Sequence, residues 1–377
     1  MVRQDAPYIL DGDMLRKPAG IASCPRSVDA KMVRILIVDD SPTLRILIRR
    51  ILESDPGIQV VGEAANGEEA IALCRKLNPD IITMDIQMPR MDGYEAIRHI
   101  MAEMPRPIVV LTTTESDIRL GITFKALECG ALMVLGKPKG MPGIDPEADM
   151  IISQIKAMAD VKVVRRTKWP QSEQPKMPGK SASPHGSLLQ PVRLVAVGVS
   201  TGGPPALQVI LSRLPAGFPA PILVVQHISR SFINGLATWL NETTPLQVKV
   251  AQAGEKLKPG MVYLAPDEKH LTVTADGSVW LKKMSLVDGH CPSATVLFES
   301  AAAVNGPATA GVILTGMGSD GARGLKTLHD AGGYTIAQDE ASCIIFGMPK
   351  EAISMGAVNE VLPLEMISDR LKELVLA

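Results

Sequence analysis

Aromatic side chains are scarce in this chain. Three Trp, four Tyr and five Phe make up 3% of 377 residues, too few for the stacking platforms on which nucleic-acid bases are held. An excess of charge of one sign is also missing. The 39 Lys and Arg nearly balance 40 Asp and Glu, and a formal net charge of −1 gives no electrostatic hold on nucleic acid or an anionic membrane. The five cysteines (Cys24, Cys74, Cys129, Cys291, Cys343) are odd in number, scattered and without C-x-x-C spacing. They read as reduced thiols filling cores, not as a disulfide framework or a zinc site. No apolar run approaches the roughly 20 residues that span a bilayer. Residues 1–31 are broken by Asp, Gly, Pro and Arg and hold no apolar signal core. The expectation is a cytoplasmic chain with no nucleic-acid partner and no direct membrane insertion. Residues 1–31 read as a poorly ordered extension, with Met32 as an alternative start.

What is present is a twice-repeated α/β rhythm, in a chain too long for one ordinary core. From Met32, β-rich runs at Val33–Val38, Val60-Val61, Ile81–Met84, Ile108–Thr112 and Leu132–Leu135 alternate with helical spacing over Pro42–Leu52, Gly67–Leu77, Tyr94–Met101 and Ile118–Leu127. Five strands alternating with helices imply a doubly wound parallel sheet, with function at the carboxyl ends of its strands. The first α/β half is assigned to residues 32–155. Residues 156–190 read as a flexible linker, rich in Pro and Gly and containing His185. A second α/β half, 191–377, opens with Leu194–Val199 and Ile222–Gln226. Its region 246–284 is β-rich and reads as a hairpin insertion. Later strands are expected at Val312–Thr315 and Tyr334–Ala337. The fold class is therefore α/β: two doubly wound parallel-sheet domains, flavodoxin-like and then Rossmann-like, joined by a linker.

Asp39, Asp40 and Asp85 each stand where an apolar strand ends, so the sheet gathers three carboxylates on one edge. Singly, each reads as a solvated helix cap. Together they repel one another unless a cation joins them, and an all-oxygen set suits Mg²⁺. Thr112 and Lys137 end the fourth and fifth strands, and the Lys137–Pro138 bond is a candidate cis peptide. These residues, with Asp85-Ile-Gln-Met-Pro-Arg-Met-Asp-Gly93, resemble the two-component receiver domain in order and spacing. The resemblance implies that Asp85 accepts a phosphoryl group. It implies that Asp39, Asp40, Asp85 and the Gln87 carbonyl hold Mg²⁺, and that Thr112 and Lys137 contact the phosphoryl group. Where receivers often carry an aromatic switch residue on the fifth strand, this chain has Val134.

In the second half, Leu194-Val-Ala-Val-Gly-Val-Ser200-Thr-Gly-Gly-Pro-Pro205 runs a strand through a Gly turn into a helix. It lacks the second Gly of a dinucleotide fingerprint and the Lys of a P-loop. It fits G-x-S-x-G, with a helix-capping serine as the competing reading. Of six histidines, His227 ends a neighbouring strand and can reach the same edge. His270 and His290 border the insertion, and His99 and His329 read as surface residues. Asp320 follows a strand in a Gly-rich turn, where it could orient the base or cap its own helix; Asp339 is its rival.

The segments Val197–Gly203, Val225-Gln-His227, Tyr263-Leu-Ala-Pro266, Leu314–Ala322 and Ala337–Ala341 with Gly347-Met-Pro349 resemble the chemotaxis protein-glutamate methylesterase family, CheB. The resemblance extends from Met32 to the C-terminus. It implies Ser200 as nucleophile, His227 as general base, Asp320 as its orienting acid, and Thr201 with the Met317 backbone as oxyanion support. Implied substrates are glutamyl methyl esters on methyl-accepting chemoreceptors, with deamidation of receptor glutamines as related chemistry, and no cofactor for hydrolysis. A chemotaxis-type histidine kinase is the implied phosphodonor. The chain departs from the pattern at Asp267-Glu268, where the family often has Gly-Gly, and at Ala294-Thr295, where it often has Val-Asp. The alternatives are a methylesterase serving a non-motility array and a catalytically inactive response-regulator adaptor. In the favoured arrangement the receiver covers the Ser200 cleft until Asp85 is phosphorylated.

Overall fold

Val33–Val38 (β1) buries its last four residues in succession, the pattern of a strand covered by helices on both faces. A computed structural model describes residues 32–112, 124–161, 163 and 191–376. The expected extension 1–31, the first part of the expected helix 118–127, and most of the linker, His185 included, lie outside the described residues.

The first sheet orders β2 (Ile58–Ala64), β1, β3 (Ile81–Met84), β4 (Ile108–Thr112) and β5 (Met133–Gly136), all parallel. This is the flavodoxin-like order, whose ligand crevice opens at the β1/β3 switch point. Its helices are α1 (Pro42–Leu52), α2 (Gly67–Leu77), α3 (Gly93–Glu103), a described helical stretch at 124–129, and α4 (Pro146–Ala159). Side-chain caps start three of them: Ser41, Asn66 and Asp92 each accept a hydrogen bond from the backbone N–H three residues on. Sequence reading missed α4, which carries the first half past residue 155, since Ile155 and Met158 are both fully buried in its core.

The second sheet has seven strands, all parallel, in the order β14-β13-β12-β6-β7-β9-β8. These are β6 (Leu194–Val199), β7 (Ile222–Gln226), β8 (Gln247–Val250), β9 (Met261–Leu264), β12 (Thr309–Ile313), β13 (Tyr334–Gln338) and β14 (Glu360–Leu362). The helices are α5 (Gly203–Ser212), α6 (Ile233–Thr243), α7 (Ala294–Asn305), α8 (Ala322–Asp330), α9 (Met348–Ser354) and α10 (Leu364–Leu376). From β6 the chain winds first towards β7 and later returns to β12, so the switch point lies between β6 and β12.

The hairpin insertion is smaller than the sequence suggested. Among the described strands, β10 (His270–Val273) and β11 (Val279–Lys282) are the antiparallel pair, whereas β8 and β9 complete the edge of the main sheet. Four-residue apolar runs carry too little periodicity to separate the two fates. β14 and α10, also unanticipated, close the opposite edge. No described helix is long and apolar enough to cross a membrane.

The two α/β halves touch through Phe124 and Trp239, whose rings stack with centroids 5.8 Å apart. Trp239 Nε1 donates to Glu128 Oε1 at 2.8 Å.

Candidate functional site

At the β1/β3 switch point, Asp39, Asp40 and Asp85 place carboxylate oxygens within 4.8 Å of one another. Asp39 and Asp85 are buried and Asp40 is exposed. Lys137 Nζ lies 2.8 Å from Asp39 Oδ2 and 2.7 Å from Asp85 Oδ2. Its contact with Asp85 is a hydrogen bond. Asp39 Oδ2, by contrast, is buried with no well-aligned donor. Burial raises the Asp85 pKa above the ordinary carboxylate range; Lys137 pulls it down and Asp39 pushes it up again. Burial would lower the Lys137 pKa, but the two carboxylates outweigh it and the net shift is upward.

The close packing explains a glycine. A Cβ on Gly93 would sit 2.2 Å from the Asp85 carbonyl oxygen, so the turn behind Asp85 requires its absence. Thr112 is buried at the end of β4, and its carbonyl accepts from Lys137 N at 2.8 Å. Gln87 is exposed beyond Asp85. The Lys137–Pro138 bond is trans: among the described residues the cis bond is Cys291–Pro292. Lys137 is instead carried to the carboxylates by continuing β5 alongside β4. An oxygen-only donor set with an orphaned buried oxygen and a raised carboxylate pKa fits a divalent cation.

In the second half, Ser200 ends β6, His227 ends β7, and Asp320 follows β12, so the switch point brings all three to one edge. Ser200 does not cap the following helix. That position belongs to Gly202, in the left-handed region at φ 79°, with no side-chain cap. A Cβ on Gly203 would fall 1.9 Å from Gln226 Oε1, so the helix start is pressed against the end of β7. Ser200 and His227 line one cavity of about 430 Å³, shared with Thr201, His290, Met317 and residues of the first half.

His227 Nε2 lies 2.8 Å from Asp320 Oδ2. Nδ1 is buried with no partner, and the Nε2 contact is off hydrogen-bond alignment. Such bonds commonly tighten only with substrate in place.

Asp320 does not cap its own helix either. It sits against the N-terminus of α7, accepting from Ser293 Oγ at 2.6 Å, Ala294 N at 2.7 Å and Thr295 N at 3.2 Å. Burial opposes ionisation, but His227, Ser293 and Ala294 overcome it and hold the pKa at about 2. Asp339, the rival acid, instead accepts from Ser342 N in a local turn.

The oxyanion candidates differ. Thr201 Oγ1 donates to Gln154 Oε1 of α4 at 3.0 Å, a bond between the two halves. Met317 is half exposed at the cavity, and its N–H makes no bond to a described residue. Of the other histidines, His270 is fully buried and satisfied: Nδ1 accepts from Ser293 N and Nε2 faces Ser285 O, both at 3.2 Å.

Several contributors were not legible as site residues. Gln226 Nε2 donates to the carbonyls of Ser200 (2.8 Å) and His227 (2.7 Å), tying the two strand ends together. Thr315 Oγ1 donates to the Thr201 carbonyl at 2.9 Å. His290 stacks on His227, with ring centroids 3.9 Å apart and planes 4° from parallel. Burial, then the neighbouring His227, lower the His290 pKa to about 4, against the pull of Asp320 and Asp288.

The atypical positions also find places. Asp267 Oδ2 accepts from Ser231 N at 2.8 Å at the cavity wall, and Glu268, at φ 58°, pairs with Arg230. Thr295 Oγ1 donates to Asp288 Oδ2 at 2.7 Å and accepts from Gly321 N at 2.8 Å. Val134 is buried on β5 and lines the shared cavity.

Comparison with known proteins identifies a family for each half. Residues 35–145 match the family described as response regulator receiver domain, and residues 195–371 the family described as CheB methylesterase. The chain is 48% identical over 342 residues, 90% of its length and 96% of the relative's, to protein-glutamate methylesterase/protein-glutamine glutaminase 4 of Myxococcus xanthus (strain DK1622). It is 45% identical over 350 residues, 92% of its length and 99% of the relative's, to the protein of the same name in Geobacter metallireducens (strain ATCC 53774 / DSM 7210 / GS-15). With relatives this similar along nearly their whole length, and with both halves matched in order, this chain is a response regulator that belongs to the CheB methylesterase family.

Proposed function

We propose that this chain hydrolyses glutamyl methyl esters on the cytoplasmic helices of methyl-accepting chemoreceptors, and that phosphorylation of Asp85 controls the rate. The observation that carries the reading is the 2.8 Å approach of His227 to Asp320 at the cavity that Ser200 lines.

In the reaction, Ser200 Oγ attacks the ester carbonyl carbon and its proton passes to the free nitrogen of His227. Asp320, ionised at working pH, holds the other nitrogen and stabilises the imidazolium. The oxyanion is met by the Met317 N–H and by Thr201. His227 then gives its proton to the departing methoxy oxygen, and methanol leaves. Water, deprotonated by the same His227, opens the acyl-serine to a glutamate carboxylate. With a glutamine substrate the leaving group is ammonia, and the product is the same glutamate.

In the receiver, Asp39, Asp40, Asp85 and the Gln87 carbonyl would hold Mg²⁺. When bound, the ion neutralises charge on the phosphoryl oxygens as Asp85 accepts the group from a chemotaxis-type histidine kinase. Lys137 and Thr112 bind the phosphoryl oxygens, drawing Lys137 off the Asp39–Asp85 pair. The receiver also holds Gln154 on Thr201 and walls the cavity with Val134 and Met150. The regulated step is release of that cover. The site of action is the cytoplasm, where receptor helices and kinase are both presented.

The test is methanol release from methylated receptor membranes, with and without a small-molecule phosphodonor. The expected result is release that rises with phosphodonor and disappears in Ser200→Ala. Release by Ser200→Ala at the wild-type rate would sink the reading.

A further inference from the structure

We propose that His290 is a positioning residue for the base: its ring, stacked face to face on His227, fixes the plane in which His227 exchanges its proton with the serine and the leaving group. The inference rests on the functional reading above and adds a residue to its machinery.

Asp320 grips His227 at one nitrogen, and that contact is off alignment. A ring held at a single atom can still swing about its bond to Cβ, carrying the second nitrogen away from the serine. A flat partner 3.9 Å away and 4° from parallel blocks that swing.

The partner is itself braced. Val287 and His290 exchange two backbone hydrogen bonds, each of 3.0 Å. Between them Asp288 and Gly289 both adopt positive φ, 51° and 82°. This is the conformation of a tight two-residue hairpin turn, for which Asp-Gly is a favoured sequence. Asp288 then accepts from Thr295 Oγ1, while Thr295 N donates to Asp320. The turn that carries His290 and the carboxylate that orients His227 are therefore fixed to one residue, so the two restraints on the base share a frame. Thr295 stands where the family often has Asp, and Asp288 supplies a carboxylate beside it.

His290 is unsuited to be the base itself. No described carboxylate bonds to it, and its pKa of about 4 leaves it a weak proton acceptor. The same low value keeps the ring neutral at working pH, so it does not repel the imidazolium that forms on His227.

The test uses the full chain with His290→Ala, His290→Gln and His290→Phe, read by methanol release from methylated receptor membranes. Thermal melting and Asp85 phosphorylation serve as fold controls. A misplaced base costs roughly 10–100-fold in rate. Ala and Gln are expected to lose about that factor in kcat with KM within about twofold. Phe, which restores a flat uncharged ring, is expected to recover to within about threefold of wild type. Wild-type kcat in folded Ala and Gln variants would overturn the proposal. So would equal impairment of Phe, Ala and Gln. If wild type releases methanol and Ser200→Ala does not, such a result counts against His290 alone. A wild-type chain that releases none overturns both readings.

Discussion

Two acidic sites, each at the switch point of a parallel sheet, have been given opposite electrostatics. In the receiver, Asp85 is buried beside Asp39, and its raised pKa records a charge that the fold has left in deficit. In the catalytic half, Asp320 is just as buried, yet three donors from the α7 N-terminus and His227 hold its pKa at about 2. A carboxylate that must orient a base should never change state. On the proposed reading, the phosphoryl acceptor instead keeps a raised pKa although Lys137 and Ile86 N donate to it, which leaves its charge for a cation to stabilise. On the proposed reading, this contrast separates input from output more sharply than the shared fold would suggest.

The largest effect that tests this division comes from the nucleophile. Ser200→Ala is expected to lower kcat for methanol release by roughly 10⁵–10⁶-fold while leaving Asp85 phosphorylation unchanged. Next comes Asp320→Asn, expected to lower kcat by roughly 10³–10⁴-fold, because the amide cannot stabilise the imidazolium. Its pH signature is separate. The folded pKa lies below the ordinary value of 3.8, so the stabilising contribution is present above that value and is lost as pH falls through about 2. The shift corresponds to about 2 kcal/mol. Acid unfolding followed by Trp239 fluorescence should therefore lose that dependence in the Asn variant.

The receiver should show the reverse sign. Because the Asp85 pKa is raised, its contribution is full at low pH and is lost as pH rises through the folded value. In metal-free buffer at neutral pH, Mg²⁺ at tenfold over its dissociation constant is expected to stabilise the receiver by about 1.4 kcal/mol. Melting should then rise by a few degrees and return with a chelator. Asp39→Asn should abolish the response. A melting curve indifferent to Mg²⁺ would break the comparison at its input side.

How much of this was legible follows the same physics. Asp39, Asp85, Ser200 and His227 end apolar strands, and parallel topology alone brings strand ends together. For Ser200 the pattern alone left a helix cap as a competing reading, and Gly202 occupies that place in the structure. For Asp320 the sequence left a cap of its own helix as a competing reading, because its true neighbour, the start of α7, is 26 residues away in sequence. Gln226 and His290 act through carbonyls and a ring face, which no spacing encodes. β8 and β9 were misplaced because four apolar residues fit a hairpin or a sheet edge equally well. Helix α4 was passed over although it belongs to both stories: it completes the receiver core with Met158 and reaches the catalytic turn with Gln154.

That double membership yields the smallest effect and the most direct probe of how input meets output. The described polar and aromatic contacts between the halves include one aromatic stack, the Trp239–Glu128 bond, the Gln154–Thr201 bond and a Ser229 Oγ–Met150 Sδ contact at 3.5 Å, beside apolar side chains of both halves in one buried cluster. Stacking contributes roughly 0.5–1.5 kcal/mol and each hydrogen bond about 1 kcal/mol, so each of these contacts is a small, separable part of the cover. A single deletion can therefore bias the balance between covered and open states. Gln154 lies on α4, away from the carboxylates, and contacts none of Ser200, His227 and Asp320 by a hydrogen bond. Gln154→Ala should remove about 1 kcal/mol from the covered state and free the Thr201 hydroxyl. Methanol release without phosphodonor should rise by up to about fivefold, and the fold-stimulation by phosphodonor should shrink by the same factor. The fully phosphorylated rate should stay at the wild-type level, because the bond is already broken there. If the unstimulated rate did not change, Thr201 would be no part of the latch, and the control would lie with the Phe124–Trp239 contact.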